Sequence, residues 1–454
     1  MRDHLTQSKK IKHIPSFVFF ILSTALLMQG CTLFSDDTFD GGNGTETNPY
    51  QISTIDQLQA IDDEEYLNKH FIQTGDIDAS PSAEFQDGSG FRRIGTQKAP
   101  FTGSYNGNGY AIKDLKINFN KVDRNNGLFG YIKDAQLENI FVDNSNQLSN
   151  KKPDLQTAFK INPDQIDRQS FVDIDLSDAG GIGGLVGLND RGVIKNCKFK
   201  GNVSGHISQS VGGLVGLNNG LIEDSHFEGN VSGGNASGLV VRNIGTINDS
   251  HATGQFDGMA AYGLSAINQG EIIQSSVTGE IWGGHTTAAF VGTNEGIIDA
   301  CFAKGYVFGY QRIAGFVAIN NSNISDSYSK MTIEHVFSPG YDNKSAAVLV
   351  VKNQLNGVIE QSFVAGKIVD SDIESANNAV AVFNEGIITA AYWDTESTGQ
   401  HEGVGEGSPE GATGLTTQQM TGPAAEQYMP EFDWVNVWRT TEDGYPVLRW
   451  QEDE

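Results

Sequence analysis

Cysteine is scarce: three residues in a chain of 454. Cys31 closes the N-terminal apolar stretch, which leaves only Cys197 and Cys301 for the body of the protein. Those two hold the same position in units four apart of the repeat described below. At one interstrand step per unit they stand roughly 19 Å apart, far beyond the Cα separation of about 7 Å that a disulfide tolerates. A disulfide frame is excluded, and both read as small buried thiols.

Positive charge is also in short supply, 30 Lys and Arg against 56 Asp and Glu, for a formal net charge of −26. Nucleic acid needs a basic surface and is excluded as a partner. The same balance keeps an exported protein soluble and rules out attachment to anionic lipid by charge alone. Catalytic signatures are missing too. The lone His-Glu pair, His401-Glu402, is not followed by the second His of an HExxH helix, and neither a P-loop nor a nucleophile elbow occurs.

Only one long apolar run exists, Phe17–Met28. With Arg2, Lys9, Lys10 and Lys12 ahead of it, it has the layout of an export signal and is too short to remain as a spanning helix. It ends at Leu27-Met28-Gln29-Gly30-Cys31, which resembles a bacterial lipoprotein signal with Cys31 as the acylated residue. Met28 departs from the usual Leu. Several acyl chains on one Cys, at about 0.8 kcal/mol per buried methylene, give a stable anchor. By analogy with Gram-negative sorting, Thr32 after the Cys favours the outer membrane.

Glycine, in contrast, is abundant at 54 residues, and it recurs in a frame. With origins at Gly192, Gly220, Gly245, Gly270, Gly296, Ser322, Gly357 and Gly386, most units are 25–29 residues long and one is 35. Two residues after every origin stands Ile: Ile194, Ile222, Ile247, Ile272, Ile298, Ile324, Ile359 and Ile388. Five after stands a small residue, from Cys197 and Ser225 through Cys301 to Ala391, and before each origin stands Asn, from Asn189 to Asn384. Helical solenoids are excluded, since several glycines per unit cost each helix about 1 kcal/mol apiece. Short β-branched runs between Gly and Asn suit strands and tight turns. A unit this small cannot bury its own apolar face and must stack on its neighbours. Stacking turns the Ile column into a core stripe and the Asn column into an amide ladder, with Gly expected at the corners for its positive φ. The fold class is all-β, a right-handed parallel β-helix of about 9–11 coils with N- and C-terminal caps.

The organisation follows: residues 1–31 signal, 32–48 polar tether, 49–124 N-terminal cap and first rungs, 125–395 the repeats, with an insertion at 143–178, and 396–454 an acidic Gly-rich loop and aromatic cap. Ser53-Thr54 ahead of Ile55, Leu58 and Ile61 predicts a short capped helix over the first coil.

The pattern GGLVGLNxGxIxxSxxxG, at Gly183–Gly201 and Gly212–Gly229, resembles the GLUG motif of bacterial surface proteins. Gly44–Ile61, Phe101–Ile117 and Glu442–Trp450 are similar to segments flanking it. The resemblance implies the β-helix, an extracytoplasmic location and an adhesin-like role, and it says little about activity.

Function should lie on outward columns. Alternation around Phe199 points position plus seven inward and plus six outward. At plus six the later units carry Phe302, Tyr328, Phe363 and Tyr392, and the earlier ones His226 and His251. The four rings make either a strip that contacts sugars or a protein, or packing covered by the C-terminal segment, where Phe432, Trp434, Trp438 and Trp450 concentrate. The His pair lacks a visible third ligand for zinc. Asp173, Asp175 and Asp178 in the insertion offer carboxylates for Ca²⁺ but lack the Gly and terminal Glu of an EF-hand loop. No cofactor is expected beyond that weak Ca²⁺ candidate. The reading is a lipid-anchored, adhesin-like protein at the outer membrane surface, contacting a surface glycan or protein ligand. The alternatives are a polysaccharide-active β-helix lyase or hydrolase with its site near 143–178, and a non-catalytic scaffold.

Overall fold

The computed structural model describes residues 38–117, 125–147, 181–335, 345–370 and 376–451. Cys31, Asp173, Asp175, Asp178 and most of the predicted insertion lie outside the described residues.

The repeat stacks as the columns require. Among the described residues thirty-seven strands form one sheet system in which every strand pairing is parallel, and the chain is a parallel β-helix. A representative coil runs through strands Val291–Asn294, Ile297–Asp299, Phe302–Gly309 and Arg312–Ala314. The Ile column is continuous and in register from Ile194 to Ile388. It extends toward the N-terminus through Leu137 and Tyr105 to Phe71, and its members are buried, Ile388 the most exposed of the Ile residues at 5%.

The amide ladder is equally regular. Each Asn Nδ2 donates to the Oδ1 of the next, at 2.8–2.9 Å, along Asn189, Asn218, Asn243, Asn268, Asn294, Asn320, Asn353 and Asn384. The last amide donates to the Ser408 carbonyl, so every buried polar end is paired. A second ladder follows at plus five. The backbone N–H of Cys197 donates to Ser225 Oγ, and that of Ser225 to Ser250 Oγ, both at 3.1 Å. Cys301 stands in the same column, its Sγ 3.5 Å from the Ser275 N–H. Both cysteines are free and buried, and burial pushes their thiols up, Cys197 to about 12.

The corners are turned differently from expectation. At plus four every coil adopts the left-handed region with a non-glycine residue: Asn196, Asp224, Asp249, Gln274, Ala300, Asp326, Gln361 and Ala390, with φ between 44° and 56°. Asn and Asp tolerate that conformation best, through local hydrogen bonding. Most origin glycines serve another purpose. A Cβ on Gly270 would sit 1.9 Å from the Gly245 carbonyl oxygen, and one on Gly245 2.0 Å from that of Gly220. Glycine is needed there because successive backbones touch.

Both ends also depart from the predicted boundaries. Ile55–Ala60 is a helix with a Thr54/Gln57 capping box, and its Ile55 and Leu58 enter the main core. The supposed tether is structured from residue 38: Phe39 is buried among Tyr50, Tyr66 and Phe71, and Asp40 N–H donates to the Gln51 carbonyl. The acidic stretch read as a loop adds strands Val404–Gly407 and Ala412–Leu415 to the last coil.

Candidate binding face

The C-terminal segment decides the fate of the plus-six column. Beyond Leu415 the chain turns through helices Thr417–Met420 and Ala424–Tyr428 and a small antiparallel pair, Trp438–Arg439 with Val447–Leu448. This arm lies along the flank of the solenoid. It buries Met420, Met429, Phe432, Trp438 and Leu448 in one apolar cluster with Phe302, Tyr328, Phe363 and Tyr392. Tyr328 and Phe363 are wholly inaccessible. The four rings point out of the sheet as predicted, and the arm packs over them.

Polar bonds fix the arm. Trp438 Nε1 donates to Asp326 Oδ1 at 2.8 Å and Trp450 Nε1 to the Ala300 carbonyl at 2.9 Å. The Tyr445 hydroxyl donates to Asp394 Oδ2 and the Tyr392 hydroxyl to the Glu431 carboxylate. Burial beneath the arm pushes the Asp326 carboxyl up to about 6, against the pull of the Trp438 bond.

His226 and His251 are brought together, ring centroids 5.0 Å apart and stacked. Their Nε2 atoms face carboxylates, His226 to Asp224 at 3.5 Å and His251 to Asp249 at 3.6 Å. His251 Nδ1 shares a 2.9 Å hydrogen bond with Ser276 Oγ. Burial and the neighbouring His226 push His251 down to about 4. Among the described residues no three His, Cys, Asp or Glu side chains gather into a metal-binding group.

A different pair of columns is left on the surface. Past the inward plus nine and plus eleven positions, plus ten and plus twelve face out. At plus ten stand Asn202, Asn230, Gln255, Glu280, Tyr306 and Thr332 in register. At plus twelve stand Ser204, Ser232, Asp257, Trp282, Phe308 and Glu334. The first coils carry polar steps: Asn230 Nδ2 donates to Asn202 Oδ1, and Ser232 Oγ to Ser204 Oγ, both at 2.9 Å. Higher up the face becomes aromatic. Trp282 lies 5.6 Å from Tyr306 and 5.1 Å from Phe308, and Phe308 meets Tyr310 edge-on at 5.3 Å. All four rings are partly exposed. Glu280 Oε2 accepts from Trp282 Nε1 at 3.3 Å, and burial pushes the Asp257 carboxyl up to about 6. This face escaped the sequence reading because the outward alternation was followed only to plus eight. Carried four residues further, the same alternation finds Trp282 and Phe308.

With the coils, the Ile stripe and the Asn ladder in place, the family of the repeat can be stated. The GLUG motif model matches residues 178–204 and 207–232. These are GLUG repeats. Outside the two matched units the same spacing of Ile and Asn columns continues to Ile388. The chain is 33% identical over 194 residues to Halomucin of Haloquadratum walsbyi, covering 40% of this chain and 2% of that protein. It is 35% identical over 130 residues to a protein of Evansella cellulosilytica named as a Gly-rich membrane protein, covering 27% of this chain and 14% of the other. The chain thus spans a small part of each relative's length. A crystal structure of a Bacteroides ovatus protein, described as a candidate immunoglobulin A1 protease, aligns at a TM-score of 0.38 and 17% identity over 91% of this chain and 96% of that one. A likeness that loose carries no argument about fold or activity.

Proposed function

We propose that this GLUG-repeat chain is a lipid-anchored, adhesin-like binding protein of the outer membrane surface, working through the flank of the solenoid and catalysing no reaction. The observation that carries the reading is the partly exposed cluster Trp282, Tyr306, Phe308 and Tyr310 on one flank, while the other aromatic column is sealed by the arm. Solvent-facing rings gathered on a solenoid are an apolar patch of the kind that marks interaction sites. Names of relatives agree with the setting, one being called a membrane protein. The acidic surface, at −26 overall, suits a solvated extracytoplasmic protein.

Two measurements test it. Intact cells treated with protease should lose antibody-detected protein while a cytoplasmic marker survives; a protein untouched until cells are lysed would overturn the surface assignment. Replacing Cys31 by Ser should move the chain from the detergent phase to the aqueous phase. Unchanged partition would overturn the lipid anchor.

A further inference from the structure

The aromatic face has a chemistry that selects among ligands. Trp282 and Phe308 sit on consecutive coils in register, with ring centroids 5.1 Å apart. Coils rise by roughly 4.8 Å, a step commensurate with the length of one pyranose unit. Aromatic faces carry negative charge density, and the polarised C–H groups on one side of a sugar ring meet it favourably. The polar groups around the rings are the complementary half. Glu280 and Thr332 flank Tyr306 in its column, and Asp257 and Glu334 flank the Trp282–Phe308 pair in theirs. Carboxylates and hydroxyls accept from and donate to sugar hydroxyls, which otherwise lose their water without replacement.

Charge removes one class of glycan. Three carboxylates, Asp257, Glu280 and Glu334, share the two columns with the rings. Lys304 and Lys330 are engaged on the other flank, Lys304 Nζ 4.9 Å over the Phe302 ring and Lys330 Nζ 5.2 Å over Tyr445. Two cations stand beyond the rings: Arg312, on the strand that follows Tyr310, and the exposed Lys367, next after Thr332 in the Tyr306 column. A uronate or sulfated polymer laid on the coils that carry the rings would meet the carboxylates of Asp257, Glu280 and Glu334 and be repelled.

We infer that Trp282, Tyr306 and Phe308, with Glu280 and Asp257, form a binding site for an uncharged polysaccharide, its sugar units stepping from coil to coil along the solenoid axis. The inference rests on the surface-binding reading above and gives it a ligand class.

Affinity gel electrophoresis of the full mature chain, with galactomannan, xyloglucan, amylose or polygalacturonate cast in the gel, tests it. At least one neutral polymer should retard the protein, and polygalacturonate should not. Trp282→Ala and Tyr306→Ala should each weaken retardation about ten-fold, the equivalent of about 1.4 kcal/mol. Val435→Ala, an exposed residue on the C-terminal arm, should bind as the parent does. A melting curve accompanies each variant, and if Trp282→Ala does not fold, Tyr306→Ala decides. Failure of every neutral polymer to retard the parent, equal retardation by polygalacturonate, or parent-like binding by the folded variants would overturn the inference. A protein that is exposed on cells yet binds no neutral polymer refutes the ligand class alone. Polymer binding by a protein that shaving cannot reach refutes the surface reading alone.

Discussion

The indole of Trp450 stacks on the imidazole of His251, centroids 5.6 Å apart and planes 11° apart. On its other side it stacks on Phe302, again at 5.6 Å. In the column between His251 and Phe302 the solenoid offers only Ser276. The arm therefore supplies the missing ring, and one stack runs His226, His251, Trp450, Phe302, Tyr328 and Phe363.

Removing that ring should loosen the arm and leave the coils. Trp450→Ala should cost about 3 kcal/mol, as large aromatic truncations do. Hydrogen exchange should speed up in residues 416–451 while the Ile column stays protected. Ser276→Phe restores a ring from the solenoid side, so the pair with Trp450→Ala should be non-additive by at least about 0.5 kcal/mol. Additive costs would mean that Trp450 and Ser276 do not share one space.

The Ile stripe makes a stability prediction in mid-stack. Ile272 is fully buried between Ile247 and Ile298. Ile272→Ala should lower the unfolding free energy by about 2–5 kcal/mol. Chemical denaturation measures it, and a cost below about 0.5 kcal/mol, typical of a surface site, would refute the packing.

Glycine at the origin can be tested against glycine elsewhere. Gly270→Ala drives a Cβ into the Gly245 carbonyl, a backbone atom that cannot swing away, and should cost about 3 kcal/mol or more. Gly75→Ala meets nothing within 4 Å, and its stability should change by less than about 1 kcal/mol. Comparing the two melting temperatures separates close approach from a general intolerance of alanine.

Acid should act on two groups with opposite sign. His251 has a folded-state pKa depressed to about 4 from 6.5, so folding disfavours its proton. Its neutral form gives full stability above about pH 6.5, and that contribution is lost as pH falls toward 4. Asp326 is raised to about 6 from 3.8, so its ionisation opposes folding, and the protein gains as pH falls from about 6 to 4. Measured by thermal melts between pH 7 and 4, the parent should weaken relative to His251→Gln and strengthen relative to Asp326→Asn. Parallel curves for parent and variant would show that the residue in question does not titrate as described.

Much of this was legible in the one-dimensional pattern, because a stacked coil places each residue over its equivalent. Periodicity alone therefore gives the Ile and Asn columns, the small plus-five position and the fate of Cys197 and Cys301. Alternation gives the outward direction of Phe302, Tyr328, Phe363 and Tyr392 correctly. Those inferences need only contacts between equivalent positions one repeat apart.

What the periodicity does not contain is where a non-repeating segment lands. Residues 416–451 follow no frame, so only the tertiary structure shows that they lie along the flank, hide the plus-six rings and place Trp450 opposite Ser276. That the partly exposed rings of Trp282 and Phe308 are left uncovered by the arm is likewise a tertiary fact. Periodic sequence specifies its own neighbours through repetition one unit away, whereas the docking of an aperiodic arm depends on shape and apolar complementarity between residues that no repeat relates.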